Sequence, residues 1–256
     1  MFKKIAIILG ITAIIAAAGV YFYYAEALAD LGRNALVCNT IDVRYIDSLK
    51  IRLIDEQQIR NIINLNDSVL GKRTDKIDIN HIESVLNAQG EIFKSEVYVM
   101  QPGVLNVEIT QRKPVIRFEN DKESYYADYT GYIFPTINAI PVPIVSGYIP
   151  TSFGKEYKGY PPDKEKDWIM SIIELSNYIE HQEYYKKLIG EIYIEQNGDI
   201  ALLPRLGCRK IIFGESSDID LKFKKLNAFY RTIIPEEGIN KYKTVNLKYN
   251  NQIICR

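Results

Sequence analysis

Histidine is almost absent, with only His81 and His181 in 256 residues, and they lie far apart in the chain. A metal site draws three or four ligands together at short, characteristic spacings, and neither Cys-x-x-Cys nor His-x-x-x-His occurs. Cysteine is scarce too. Cys38, Cys208 and Cys255 are too few for a disulfide framework, and an odd count leaves at least one unpaired within the chain. Excess charge of either sign is missing: Lys+Arg and Asp+Glu both number 32, so nothing recommends nucleic acid as a partner. The glycines Gly71, Gly103, Gly131 and Gly198 mark turns and lack phosphate-loop spacing. No serine or cysteine sits in a nucleophile motif with a base beside it. Repeats and low-complexity tracts are absent as well. These absences point to no catalytic residues, no cofactor and no metal, and to a fold that rests on its hydrophobic cores.

What is present begins with a long apolar run. Ile5 to Tyr24 contains no Asp, Glu, Lys, Arg or His. Twenty helical residues span about 30 Å, the thickness of a bilayer's hydrocarbon core. Lys3 and Lys4 precede the run, while Glu26 and Asp30 follow it, so the positive-inside bias keeps the N-terminus in the cytoplasm. Tyr21, Phe22, Tyr23 and Tyr24 stand where an interfacial aromatic belt would lie. The expectation is a single-pass protein: a cytoplasmic stub at 1–4, a transmembrane helix at 5–24 embedded in the lipid bilayer, a spacer at 25–39, and the remainder extracytoplasmic. A cleaved signal peptide is the alternative, with Ala16-Ala17-Ala18 as the cleavage region. The continuation through Val20–Tyr24 is longer than such a signal needs.

Beyond the spacer the pattern is mixed α+β. Thr40–Ile46 and Lys50–Ile54 alternate as short strands. Asp55 stands three residues before Gln58 as a helix cap, with Ile59, Ile62 and Ile63 on one face. Asn80 and Glu83 repeat that spacing ahead of a second short helix. Phe93–Met100, the turn at Gln101-Pro102-Gly103 and the alternating Leu105, Val107 and Ile109 then predict two strands. Residues 40–112 therefore read β-α-α-β-β.

Lys113-Pro114 opens a strand-rich region, 113–256. Strands are expected at Val115–Glu119, Ser124–Ala127, Tyr132–Phe134, Val142–Val145, Ile189–Glu195, Asp199–Leu203 and Lys210–Phe213. Two helices are expected near 163–181 and 217–233, the second capped by Ser217. Gln196-Asn197-Gly198 is a hairpin turn. The chain closes on strands at Thr244–Tyr249 and Gln252–Cys255, and the sheet is expected to be mostly antiparallel. Cys208 and Cys255 flank strands of this one sheet, so either a disulfide or two buried thiols fits them.

The order of parts resembles the FtsQ/DivIB cell-division family, whose first extracytoplasmic module is a POTRA domain. Ile77-Asp78-Ile79 with Ile82-Glu83, and then Gly103-Val104-Leu105-Asn106-Val107-Glu108-Ile109, carry the resemblance in the first module. Gln111-Arg112-Lys113-Pro114-Val115 resembles the family's junction. Tyr126-Ala127-Asp128-Tyr129-Thr130-Gly131-Tyr132-Ile133-Phe134 is similar to its D-x-x-G strand turn. Thr244-Val245-Asn246-Leu247-Lys248-Tyr249 resembles its closing D-L-R-Y strand, with Asn246 and Lys248 as departures.

The resemblance implies a non-enzymatic divisome scaffold in the inner membrane at the septum. It would recruit an FtsB/FtsL-like coiled-coil pair through the C-terminal module. An exposed closing strand offers unpaired N–H and C=O groups to a partner. The partner-binding residues expected there are Tyr249, Asn250, Asn251, Gln252, Ile253 and Ile254. Two other readings stay open: a membrane-anchored envelope enzyme acting on peptidoglycan through paired carboxylates, and a POTRA-type transport chaperone.

Overall fold

The structure is a computed structural model that describes residues 10, 14–28, 37–101, 103–120, 123–136, 138–150, 153, 156–250 and 252–256. Residues 14–28 are helical. Among the described residues no helix is long and apolar enough to cross a membrane. Positions 5–9 and 11–13 of the expected span lie outside those residues.

The chain divides into two compact units, the first within residues 1–47, 54–88 and 94–110 and the second made of 48–53, 89–93 and 111–256. In the first, strand β1 (Thr40–Tyr45) is followed by helices α1 (Glu56–Asn66) and α2 (Ile79–Asn87), then strands β2 (Ile92–Gln101) and β3 (Val104–Gln111). The three strands form one sheet in the order β1-β3-β2, with β1 parallel to β3. Helix α1 starts where expected because Asp55 and Gln58 satisfy each other's backbone: Gln58 N donates to Asp55 Oδ1 at 2.8 Å and Asp55 N to Gln58 Oε1 at 2.9 Å. Ile59 and Ile63 of α1, Ile82 and Leu86 of α2, and Leu105, Val107 and Ile109 of β3 are all buried. Each such burial contributes about 1.5–3 kcal/mol.

The cap of α2 is a correction. Asp78, not Asn80, accepts from the backbone of His81 at 3.0 Å. A carboxylate at this end also meets the positive pole of the helix, which favours it over an amide. Lys50–Ile54 forms no strand either. Its backbone is held by side chains instead: Leu53 N donates to Gln111 Oε1 at 2.7 Å, and Asn138 Nδ2 donates to Arg52 O at 2.8 Å.

The second unit is built on a nine-stranded sheet. Its strands are β4 (Pro114–Glu119), β5 (Ser124–Asp128), β6 (Ile133–Pro135), β7 (Ile144–Gly147), β8 (Ile189–Ile194), β9 (Ile200–Pro204), β10 (Lys210–Gly214), β11 (Thr244–Asn246) and β12 (Ile254–Cys255). Their spatial order is β12-β11-β10-β9-β8-β7-β4-β5-β6. Five pairings are antiparallel, but β4–β7, β7–β8 and β10–β11 are parallel. The β7–β8 and β10–β11 pairs follow from long helical crossovers, whereas β4 reaches β7 through β5, β6 and a loop. Helices α3 (Asp163–Glu180) and α4 (Glu183–Leu188) carry the chain from β7 to β8. Helix α5 (Ile219–Ala228), a π-helical turn (Phe229–Ile233) and helix α6 (Ile234–Glu237) carry it from β10 to β11.

The core lies between these helices and one sheet face. Ile172, Leu175, Phe223, Leu226 and Phe229 meet the alternate residues Ile192, Ile194, Ile211, Phe213, Val245 and Leu247. The cap of α5 also departs from expectation. Asp218, rather than Ser217, occupies it, in a left-handed conformation (φ 52°) and without a side-chain cap bond.

The junction and D-x-x-G segments meet at one carboxylate. Asp128 Oδ1 accepts from Thr130 N (2.8 Å), Thr130 Oγ1 (2.5 Å) and Tyr132 N (3.1 Å), and Oδ2 accepts from Arg112 Nη1 at 2.7 Å. Gly131 adopts φ 80°, as a tight turn at this place requires. The Arg112 guanidinium lies 3.5 Å from the centre of the Tyr132 ring, so the buried ion pair is also sandwiched by an aromatic face.

Candidate partner-binding edge

Strand β12 is the terminal strand at one side of the nine-stranded sheet. Thr244 and Arg256 exchange both backbone hydrogen bonds, Thr244 N to Arg256 O at 2.9 Å and Arg256 N to Thr244 O at 3.0 Å. Val245 faces Cys255 and Asn246 faces Ile254 in the next register positions. Antiparallel pairs alternate between bonded and non-bonded positions. The N–H and C=O of Cys255 are therefore turned away from β11 towards the open side of the sheet.

The turn before β12 is pinned from beneath. Strand β11 stops at Asn246, where the side-chain Oδ1 accepts from Lys248 N at 2.9 Å and bends the backbone out of the ladder. Lys248 Nζ reaches both carboxylate oxygens of Asp199, at 2.9 and 2.7 Å, and this bonding raises its pKa. Gly214 makes room for that side chain: a Cβ there would come within 3.0 Å of Lys248 Cγ. Lys225 of α5 donates to the carbonyls of Leu247 and Tyr249, the latter at 2.8 Å, and burial pulls its pKa down. The two positions that depart from D-L-R-Y thus both hold the closing segment in place.

A family model described as "FtsQ/DivIB, C-terminal related" matches residues 113–256, and a POTRA-like domain model matches residues 36–110. The chain belongs to the FtsQ/DivIB family. No curated protein matches it at a significant level. The FtsQ/DivIB proteins are a family of non-enzymatic cell-division scaffolds, and the POTRA-like domain and β-rich region seen here are its two parts.

Among the expected site residues of this FtsQ/DivIB chain, Tyr249 is 48% exposed, Asn250 and Gln252 are exposed, and Ile253 and Ile254 are half-buried. Asn251 lies outside the described residues. Tyr249 and Asn250 stand in the turn rather than on a strand, because β11 is cut short at Asn246. Tyr249 therefore leaves the alternation that buries Val245 and Leu247 and points its ring to solvent. Ile253 packs against the core cluster, and Ile254 is paired with Asn246 in β12.

Two contributors escaped sequence reasoning. Cys255 closes an expected strand, but only the antiparallel register with β11 decides which of its backbone groups face outwards. Lys225 lies far upstream, and nothing in the sequence marked it as the support of this turn. All three cysteines are free thiols. Burial pushes the Cys208 thiol up, and its sulfur sits 3.8 Å from the Tyr230 hydroxyl. Burial also raises Cys255, with the Cys208 charge adding to it.

The edge of the POTRA-like sheet is of another kind. The backbone N–H groups of Ser95 and Val97 on β2 point away from β3 and are taken by side chains of α2. Ser95 N donates to Asn87 Oδ1 and Val97 N to Glu83 Oε1, each at 2.7 Å. His81 and His181 occupy helix ends: His81 in the first turn of α2, His181 at the C-cap of α3 with Nδ1 2.7 Å from Asn177 O. Among the described residues no group of three or more His, Cys, Asp or Glu gathers to hold a metal.

Proposed function

We propose that this chain is a bitopic scaffold of the divisome. Residues 5–24 anchor it in the inner membrane with residues 1–4 cytoplasmic, and its two modules stand on the extracytoplasmic side at the septum. It recruits an FtsB/FtsL-like coiled-coil pair whose adjoining segment adds a strand beside β12.

The observation that carries this reading is the open backbone of β12. Cys255 presents an N–H and a C=O to a neighbour, and Tyr249 stands exposed in the turn that leads into β12 as a large rigid anchor. A chaperone reading would use the POTRA-like edge for extended chains, but Glu83 and Asn87 already occupy the β2 donors that such chains would need.

The test is calorimetry of the full chain in nanodiscs against the coiled-coil pair. Tyr249→Ala should weaken binding by about 1–2 kcal/mol with an unchanged thermal melt. Unaltered affinity both in a folded Tyr249→Ala variant and after deletion of residues 250–256 would sink the edge-docking reading. Topology is tested separately: a reporter fused after Arg256 should be membrane-bound and extracytoplasmic, and a soluble mature form starting downstream of Ala18 would favour the signal peptide.

A further inference from the structure

The second unit contains a cleft of about 450 Å³, within the range of small-ligand sites, between the C-terminal half of α3 and the leading ends of β7 and β8. Its apolar wall is made by Val142, Ile144, Ile179 and Ile192. Three polar groups line it: one buried hydroxyl without a partner and two charged side chains outside any ion pair among the described residues.

The first is Ser176 on α3, 1% exposed, whose Oγ has no hydrogen-bond partner among the described residues. Buried hydroxyls are almost always bonded, and a bare one lining a cleft asks for a ligand atom. The second is Arg205, exposed at the rim. Gly190 lets its stem lie across β8, since a Cβ there would stand 3.3 Å from Arg205 Cγ. Among the described residues the Arg205 guanidinium forms no ion pair, whereas the neighbouring Lys186 is bound to Glu180 at 2.9 Å. The third is Glu191, half-buried, which accepts the Ser146 hydroxyl but pairs with no cation among the described residues.

We infer that this cleft binds a zwitterionic short peptide with an aliphatic side chain. Arg205 receives the terminal carboxylate, Glu191 receives the terminal ammonium, and the isoleucines and Val142 enclose the side chain. The Ser176 hydroxyl bonds to the peptide group between the two ends. An uncharged or purely anionic ligand leaves one of the two unpaired charges unanswered, so charge complementarity selects a molecule carrying both. The proposal is independent of the β12 edge.

The probe is the dipeptide Leu-Ala, titrated calorimetrically into the full chain in nanodiscs, beside its N-acetylated form and its C-terminal amide. Leu-Ala should bind saturably at millimolar concentrations, and each blocked form should bind roughly tenfold more weakly, because each forfeits a charge-assisted hydrogen bond. Arg205→Gln should abolish the preference for the free carboxylate while keeping that for the free amine, and Glu191→Gln should do the reverse. Ser176→Ala should weaken all three probes alike with an intact melt. Absence of saturable binding, or equal binding of the blocked and unblocked dipeptides, would overturn the assignment.

Discussion

The two sheets of this protein end in opposite ways. The β2 edge of the POTRA-like unit is closed by side chains of its own helix, while β12 of the C-terminal unit exposes the backbone of Cys255. An open strand edge is a template for pairing with any extended chain, and proteins commonly blunt or cover such edges. The contrast teaches that Glu83 and Asn87 act as much against unwanted pairing as for local stability. With Asp78 as the cap of α2, Glu83 lies beyond the capping position, and its carboxylate is engaged on β2 instead.

The largest expected effect tests the closed edge. Replacing Glu83 and Asn87 together by Ala strips acceptors from two partly buried N–H groups and should cost about 2–4 kcal/mol in denaturant unfolding of the first unit. Sedimentation should then show concentration-dependent self-association, the mark of a freed edge; a monomeric double variant would mean that the side chains only stabilise.

The next prediction tests the open edge. Cys255→Pro removes an N–H that β11 does not use, so partner affinity should fall by about tenfold or more while the melting temperature moves only a few degrees. A collapse of the melt with affinity preserved would place that N–H inside the sheet.

The core of the C-terminal unit carries titratable groups. Burial raises the folded-state pKa of Cys208 and of Tyr230. A group raised in this way gives stability that is fully present below its unfolded pKa and is lost as pH rises through the folded value. Stability of the C-terminal unit should accordingly be flat to about pH 8 and then fall by about 1 kcal/mol or more through the thiol and phenol range. The single tryptophan, Trp168 in α3, reports that unit by fluorescence. A flat profile to pH 11 would show that neither group is buried on folding.

The smallest effect concerns the clamp of the turn. Lys248 is 44% exposed where it meets Asp199, so Lys248→Met should leave the urea unfolding midpoint almost unchanged. A larger loss would give the turn a share in holding the sheet that a solvated ion pair does not supply.

Much of this was legible in the chain. The Asp55–Gln58 box, the helix over 163–181 and the alternation of Ile192/Ile194 and Ile211/Phe213 are local patterns, and they survive in the structure. The Asn197-Gly198 turn also stands, with Gly198 alone at positive φ. Lys50–Ile54 misled because alternation says nothing about whether a pairing strand is within reach; its backbone found Gln111 and Asn138 instead. That the chain closes on a strand was legible in the sequence, but the geometry around Tyr249 was not. β11 ends at Asn246, whose side chain accepts from Lys248 N, and Tyr249 stands in the turn beyond it.

By itself, then, the sequence determined what depends on near neighbours: the charge-free run at 5–24, the helix faces, the turns and the family motifs. The tertiary structure decided what depends on residues far apart. It set β12 outside β11, ran β10 and β11 parallel across a helical crossover, and brought Lys225 under the closing turn. It also gathered Ser176, Glu191 and Arg205 around one cleft. Strand order and register are fixed by which apolar faces can be buried together, a sum over the whole unit that no local window of residues contains.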